Sequence, residues 1–247
     1  MRLQLMTWPE VEAYLEISNG IIIPIGSTEQ HGPTGLIGTD AICAETLAWR
    51  TGELANAVVG PTLAVGMSEH HMHFPGSITL RPSTLIAVVR DVILSLARHG
   101  FRRFFVVNGH GGNTASINAA FFEVYTEVPR VVENGDEVRS LNGEWWETPS
   151  AEKLSKELFG DKDGDHASAS EVSIASAAYP DHLKTADLDP VVAPSSHVFG
   201  PADFRRRYPE GRMGSHPELA SVEAGERIIK AVAADLADKY RKFVTEE

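Results

Sequence analysis

Hydrophobic positions along this chain gather in short runs that end in glycine-rich or polar turns, with helix-spaced segments between them. Gly20-Ile-Ile-Ile-Pro-Ile-Gly26 reads as a buried strand and Phe104-Phe-Val-Val107 as a second. Residues 57–65 read as one or two strands interrupted at Pro61, and residues 130–133 as a short strand. Residues 41–54 and 114–128 carry helical spacing. Pro82-Ser-Thr84 opens a helix with Leu85, Val88, Val89, Val92, Ile93 and Leu96 on one side, and Gly100 sits where a C-terminal cap belongs. Residues 167–178 form a helix of small residues, and a long helix runs from about 217 to 243. Residues 134–165 are polar with little periodicity, which predicts an irregular lobe holding one helix near 150–159.

Strands alternating with helices of this length predict an α/β fold built on a mostly parallel sheet. No repeat or linker divides the chain, so residues 1–247 are expected to form one domain.

Composition narrows the function classes. Lys and Arg number 22 against 34 Asp and Glu, a formal net charge of −12. That balance repels nucleic acid and anionic membrane surfaces. No apolar run approaches the ~20 residues of a membrane span; the best, 85–96, is broken by Arg90 and Asp91. The lone Cys43 excludes an internal disulfide, and the first residues lack a signal-peptide layout, so a cytoplasmic protein is expected. The histidines, 10 in an acidic chain, are the open question.

Three segments concentrate metal-ligand residue types. The first is Gly26-Ser-Thr-Glu29-Gln-His31-Gly-Pro33 with Gly38-Thr-Asp40. The second is Asn108-Gly-His110-Gly111-Gly-Asn113, and the third is Asp165-His166-Ala-Ser-Ala-Ser-Glu171. The first two each follow a strand, and ligand sites in open α/β sheets form at the carboxyl ends of strands. Glu29 and His31, two apart in an extended stretch, share a face. With Asp40 they make a donor set suited to Zn²⁺, Mn²⁺ or Fe²⁺, although Asp40 also fits a helix cap. The glycines around His110 admit close approach of backbone to a ligand, though His110 also fits a hydrogen-bonded turn. His166 and Glu171, five apart, do not share a helix face, which puts His166 at or before a helix start. A nucleophile elbow and a phosphate loop are absent, and Asp161-Lys-Asp163-Gly-Asp165 fails as a calcium loop because its twelfth position is Val172. His70, His71 and His73 precede the shaped loop Phe74-Pro75-Gly76 and read either as pocket lining or as ligands. Arg205-Arg-Arg207 reads as a solvated face or an intersubunit contact.

Taken together, the segments resemble the creatininase (creatinine amidohydrolase) family. The matching residues are 25–33, Gly38-Thr-Asp40, His71-Met-His-Phe-Pro-Gly76, 108–113, Asp165-His-Ala with Glu171-Val-Ser173, and Gly214-Ser-His-Pro with 220–225. The resemblance covers nearly the whole chain. It implies a three-layer α/β/α sandwich and a hydrolase with two divalent metal ions per chain, Zn, Mn or Fe. By motif position, Glu29, Asp40 and His110 would hold one metal, and His31, Asp40 and Glu171 the other. His166 would be the catalytic proton shuttle, oriented by Asp165. His71, Gly111, Asn113, Trp145 and Trp146 would line the substrate pocket, the tryptophans having ordinary packing as their alternative. Creatininase itself takes a ligand from a glutamate two residues after the motif histidine, where this chain has Gly112; Glu171 is the alternative ligand. Thr34-Gly35 also replaces the His-Leu of many relatives. The implied substrate is a small cyclic amide or another non-peptide C–N bond. Other activities in the family are formamide deformylation, peptide trimming and opening of an inositol-derived cyclic ketone, and a non-catalytic member is a further alternative. A homo-oligomer, often a hexamer, is also implied.

Overall fold

A computed structural model describes residues 1–246. Four parallel strands form the sheet: β1 (Gly20–Ile25), β2 (Val58–Val59), β3 (Arg103–Asn108) and β4 (Arg139–Glu144), in the order β2-β1-β3-β4. Helices α1 (Trp8–Leu15), α2 (Thr39–Ala55), α3 (Pro82–Ala97), α4 (Thr114–Val131), α5 (Pro149–Leu158), α6 (Ala169–Ala178), α7 (Pro201–Arg207) and α8 (Val222–Thr245) surround it.

Alternation along the strands assigns the layers. Ile22, Val59, Phe105 and Val107 face one side and pack with Leu47 of α2, Leu154 of α5, Ile174 of α6 and Val232 and Leu236 of α8. Ile21, Ile23, Ile25, Phe104 and Val106 face the other and pack with Leu85 and Ile93 of α3 and Ile117 and Val124 of α4. Strands covered on both faces read as continuous apolar runs, which is why β1 and β3 were legible as Ile-rich and Phe/Val-rich segments.

Two expectations are corrected. Residues 130–133 are not a strand: α4 continues to Val131 with Pro129 in its last turn. The fourth strand lies instead at Arg139–Glu144, inside the segment expected to be irregular. Among the described residues it pairs only with β3, and its first residues are partly exposed, so its sequence, RSLNGE, shows no apolar run. The helix expected near 150–159 is α5.

The register brings three strand ends to one edge of the sheet, with Ile25 opposite Asn108 and Asn108 opposite Glu144. Two close approaches then seat the start of α2 between β1 and β3. A Cβ at Gly26 would lie 2.4 Å from the Ala41 Cα, and one at Gly109 would lie 2.2 Å from the Asp40 carbonyl oxygen. Only glycine permits that packing. Asp40, in the first turn of α2, is thereby held between the segments leaving the two strands.

Candidate metal centre

Glu29 and His31 leave the end of β1, His110 leaves β3, Asp40 opens α2, and His166 and Glu171 flank the start of α6. Glu29 and His31 are fully buried, and Asp40, His110 and His166 nearly so.

The two Asp40 oxygens face different partners. Oδ1 lies 2.9 Å from His31 Nε2, and Oδ2 lies 3.1 Å from His110 Nδ1. His31 Nδ1 donates to the Glu29 carbonyl oxygen at 3.1 Å, and this fixes the tautomer that turns an Nε2 lone pair inward. His110 Nε2 donates to the Met67 carbonyl oxygen at 2.9 Å, freeing the Nδ1 lone pair beside Asp40. Glu29 Oε2 lies 3.2 Å from His110 Nε2 and also accepts from the Ser68 hydroxyl; Oε1 lies 3.1 Å from His71 Nε2 and 3.7 Å from His166 Nδ1. Glu171 Oε2 lies 3.8 Å from His31 Nε2, while its Oε1 accepts from the Ser168 backbone N–H at 2.5 Å in a capping box.

Charge is unevenly settled. Burial alone would raise the Glu29 carboxyl, but the imidazoles of His110, His71 and His166 outweigh it and hold the group well below the carboxylate range. Burial would lower His31, yet Asp40 and Glu171 hold it well above the ordinary imidazole value. His110, lowered by burial and raised by Glu29 and Asp40, stands at about 9. Burial, reinforced by His71 and His31, puts His166 well below the ordinary value.

These residues fit a divalent cation. Apart from these ion-pair contacts with one another, buried Glu29 Oε1, His31 Nε2, Asp40 Oδ2 and His71 Nε2 have no hydrogen-bond partner among the described residues, a costly arrangement for interior polar atoms unless another group satisfies them. Donor atoms of Glu29, His31 and Asp40 lie within 4.8 Å of one another, as do those of His31, His166 and Glu171, and of Glu29, His71 and His166. Imidazole and carboxylate donors together suit Zn, Mn or Fe.

The remaining expected site residues divide. Trp145 and Trp146 follow β4 in a 3-10 turn and line a cavity of about 400 Å³ with Asp40, His110, Gly111, His166 and Glu171. Trp145 also packs into the core. His71, read from sequence as pocket lining or a ligand, has its Nε2 3.1 Å from Glu29 Oε1. Asn113 is engaged with backbone: its Nδ2 donates to the Gly26 carbonyl at 2.9 Å and its Oδ1 accepts from Met67 N–H at 2.9 Å. Asp165 is exposed and makes no hydrogen bond to the His166 imidazole; Gln30 takes that place, at 2.8 Å. Gln30 and Ser68 are the site residues that the sequence reading missed. The only signal for Gln30 is its position between Glu29 and His31. At Gly112 a Cβ would lie 2.3 Å from His110 Nε2, so a glutamate there requires the imidazole to sit elsewhere.

The family model described as creatininase, creatinine amidohydrolase, matches residues 4–240. The creatinine amidohydrolase of Pseudomonas putida is 29% identical, covering 96% of this chain and 95% of its own. The 3-dehydro-scyllo-inosose hydrolase of Thermotoga maritima is 26% identical over 98% of this chain and 81% of its own. The mycofactocin precursor peptide peptidase of Mycolicibacterium smegmatis is 38% identical over 40% of this chain and 42% of its own. Among solved structures, one described as creatininase Mn superposes with a TM-score of 0.86 at 27% identity, covering 99% of both chains.

Proposed function

The chain belongs to the creatininase family, and on that premise we propose that it is a metal-dependent amidohydrolase that opens a small cyclic amide or a related C–N bond, with His166 as general acid and base. The observation that carries this reading is the convergence of the Glu29, His31, Asp40 and His110 donor atoms, buried and turned toward one another at 2.9–3.2 Å.

Glu29, Asp40 and His110 are assigned one divalent ion, and His31, Asp40 and Glu171 the other. Asp40 suits a shared role because its oxygens face His31 and His110 separately. Two divalent ions held there, Zn, Mn or Fe, would lower the pKa of a water and polarise a substrate carbonyl. The chain's own residues do the rest. His166, kept neutral by burial and by neighbouring imidazoles, accepts a proton from the attacking water and passes it to the departing nitrogen. Gln30 and the Gln30 carbonyl orient that ring. Trp145 and Trp146 wall the substrate cavity and exclude water from it.

His166→Ala tests the assignment. Turnover falls by ~10²–10⁴-fold while bound metal, measured by elemental analysis, is unchanged; retained turnover removes His166 from its role. The Thermotoga maritima relative, aligned over 98% of this chain, favours as a second reading the ring-opening of an inositol-derived cyclic ketone at the same site. Assaying lactams, cyclic ureas, formamides, short peptides and such ketones against Zn- and Mn-loaded protein separates the two. Family resemblance further supports a homo-oligomer, often a hexamer in the family, which light scattering of the purified protein tests; the lone Cys43 supports a cytoplasmic location.

A further inference from the structure

His71 is fully buried, its ring stacked on that of His166 with 4.2 Å between centroids and met edge-on by Phe204 at 4.5 Å. Its Nδ1 lies 3.0 Å from Gln30 Nε2 and its Nε2 3.1 Å from Glu29 Oε1. The Gln30 carboxamide is pinned in one orientation. Its Oε1 accepts from Gly32 N–H at 2.9 Å, and a Cβ at Gly211 would lie 1.8 Å from that oxygen. Turning the amide over would set its oxygen against the Gly211 carbonyl and its N–H groups against Gly32 N–H, so nitrogen is the end that faces the two histidines.

Gln30 Nε2 carries two hydrogens, and three acceptors surround it: His71 Nδ1 at 3.0 Å, the Gly211 carbonyl at 3.1 Å and His166 Nε2 at 2.8 Å. Contacts on both sides of the His71 ring settle its tautomer. A proton on Nδ1 would oppose an amide N–H and leave a bare lone pair facing the Glu29 carboxylate; a proton on Nε2 makes both contacts attractive. His71 Nδ1 therefore takes one amide hydrogen. Gly211 is buried and its carbonyl has no other donor among the described residues, so it takes the second. None is left for His166 Nε2. That nitrogen carries its own proton and donates it to the Gln30 carbonyl at 2.8 Å, an oxygen with no other donor among the described residues.

Resting on the hydrolase reading above, we propose that His71 is a positioning residue that acts through Gln30 to select the His166 tautomer, with the proton on Nε2 and the bare Nδ1 as the atom that takes the proton of the attacking water. The opposite tautomer leaves the Gln30 carbonyl and one of the three acceptors around its amide without a donor, each at its full desolvation cost. In turnover a water O–H bond breaks as the Nδ1–H bond forms. The cationic ring then returns the Nδ1 proton to the departing nitrogen, which restores the resting tautomer, and the Nε2 proton stays in place throughout.

Magic-angle-spinning ¹⁵N NMR of histidine-labelled, Zn-saturated protein reads the tautomer, the His166 signals being those lost in His166→Ala. Wild-type His166 is protonated at Nε2 and bare at Nδ1. His71→Phe keeps a flat ring in the stack but offers Gln30 no acceptor, so an amide hydrogen turns to His166 Nε2 and the Nδ1-protonated form becomes a major one; kcat at saturating Zn²⁺ falls about twofold or more. His71→Asn, whose side-chain oxygen can stand where Nδ1 stood, restores both. Wild-type His166 protonated at Nδ1, or a tautomer that His71→Phe leaves unchanged, overturns the assignment and leaves the hydrolase reading standing. A moved proton with unchanged kcat overturns Nδ1 as the accepting atom. Full turnover by His166→Ala instead removes the shuttle reading, and the spectra alone then decide whether His71 sets the tautomer.

Discussion

His166 and Gln30 meet twice: the imidazole Nε2 lies 2.8 Å from the Gln30 carbonyl oxygen and 2.8 Å from its carboxamide nitrogen. One ring nitrogen cannot donate to the first and accept from the second at once. The proton therefore sits either on Nε2, pointing at the carbonyl, or on Nδ1, facing Glu29 Oε1 at 3.7 Å. A ring with support for either tautomer can release a proton on one side and regain it without turning.

Gln30→Met keeps the carbonyl and removes the carboxamide, which also donates to the Gly211 carbonyl at 3.1 Å. We expect kcat to fall about tenfold or more with metal content unchanged. A nearby donor disfavours the protonated ring, so its loss moves the acid limb of the kcat/KM profile to higher pH. A fall in activity without that movement makes Gln30 a packing residue only.

With His110 as a ligand, proton and metal are expected to compete for its ring. Its folded-state value of about 9 lies above the ordinary imidazole value of 6.5, so in metal-free protein the charged ring stabilises the fold fully below ~6.5. That contribution, about 3 kcal/mol from the shift, is lost as pH rises through about 9. Urea unfolding of chelator-stripped protein at pH 6 and pH 10 measures it. Over the same window metal binding tightens, because the ligand must give up its proton. Zn²⁺ calorimetry in buffers of different ionisation enthalpy reads the proton release; pH-independent affinity rules His110 out as a ligand.

Much of this arrangement was legible in the chain. Glu29, His31, Asp40 and His110 stand in segments that leave β1 and β3 or open α2, and these are the elements with the clearest apolar runs and spacing. What escaped lacks such a signature. β4 is an edge strand that gains its place by pairing with β3. α1 carries a readable capping box, Thr7 with Glu10, but only Tyr14 of its residues is buried, so the apolar spacing is weak. Asp165 was expected to orient His166 because it is adjacent in sequence. The orienting group comes instead from Gln30, 136 residues away, through a fold-level contact that local sequence does not encode.

Glu171 has two jobs on two oxygens, the Oε1 bond closing the α6 capping box and Oε2 turning toward His31. Glu171→Gln retains a capping acceptor but loses the charge, so stability should change by less than ~0.5 kcal/mol while Zn²⁺ affinity falls about tenfold or more. Ser168→Ala does the opposite, costing ~1 kcal/mol with metal affinity within about twofold. Unchanged affinity in Glu171→Gln would reduce Glu171 to a cap.

Ala167 joins His166 to that cap with φ of +54°, fully buried. A non-glycine residue in this region is held there at a cost of order 1 kcal/mol by its surroundings. Here the surroundings are the Ser168 cap on one side, and on the other the His166 carbonyl, which accepts from the Ser215 hydroxyl at 2.6 Å and from Met213 N–H at 3.2 Å. Ala167→Gly relieves the strain but frees the link between His166 and α6. Denaturation midpoints should hold or rise while kcat falls severalfold. Ala167→Val places a branched Cβ in the same conformation and should lose about 2 kcal/mol. If the glycine variant keeps full kcat, the left-handed turn serves the fold alone and does not tune His166.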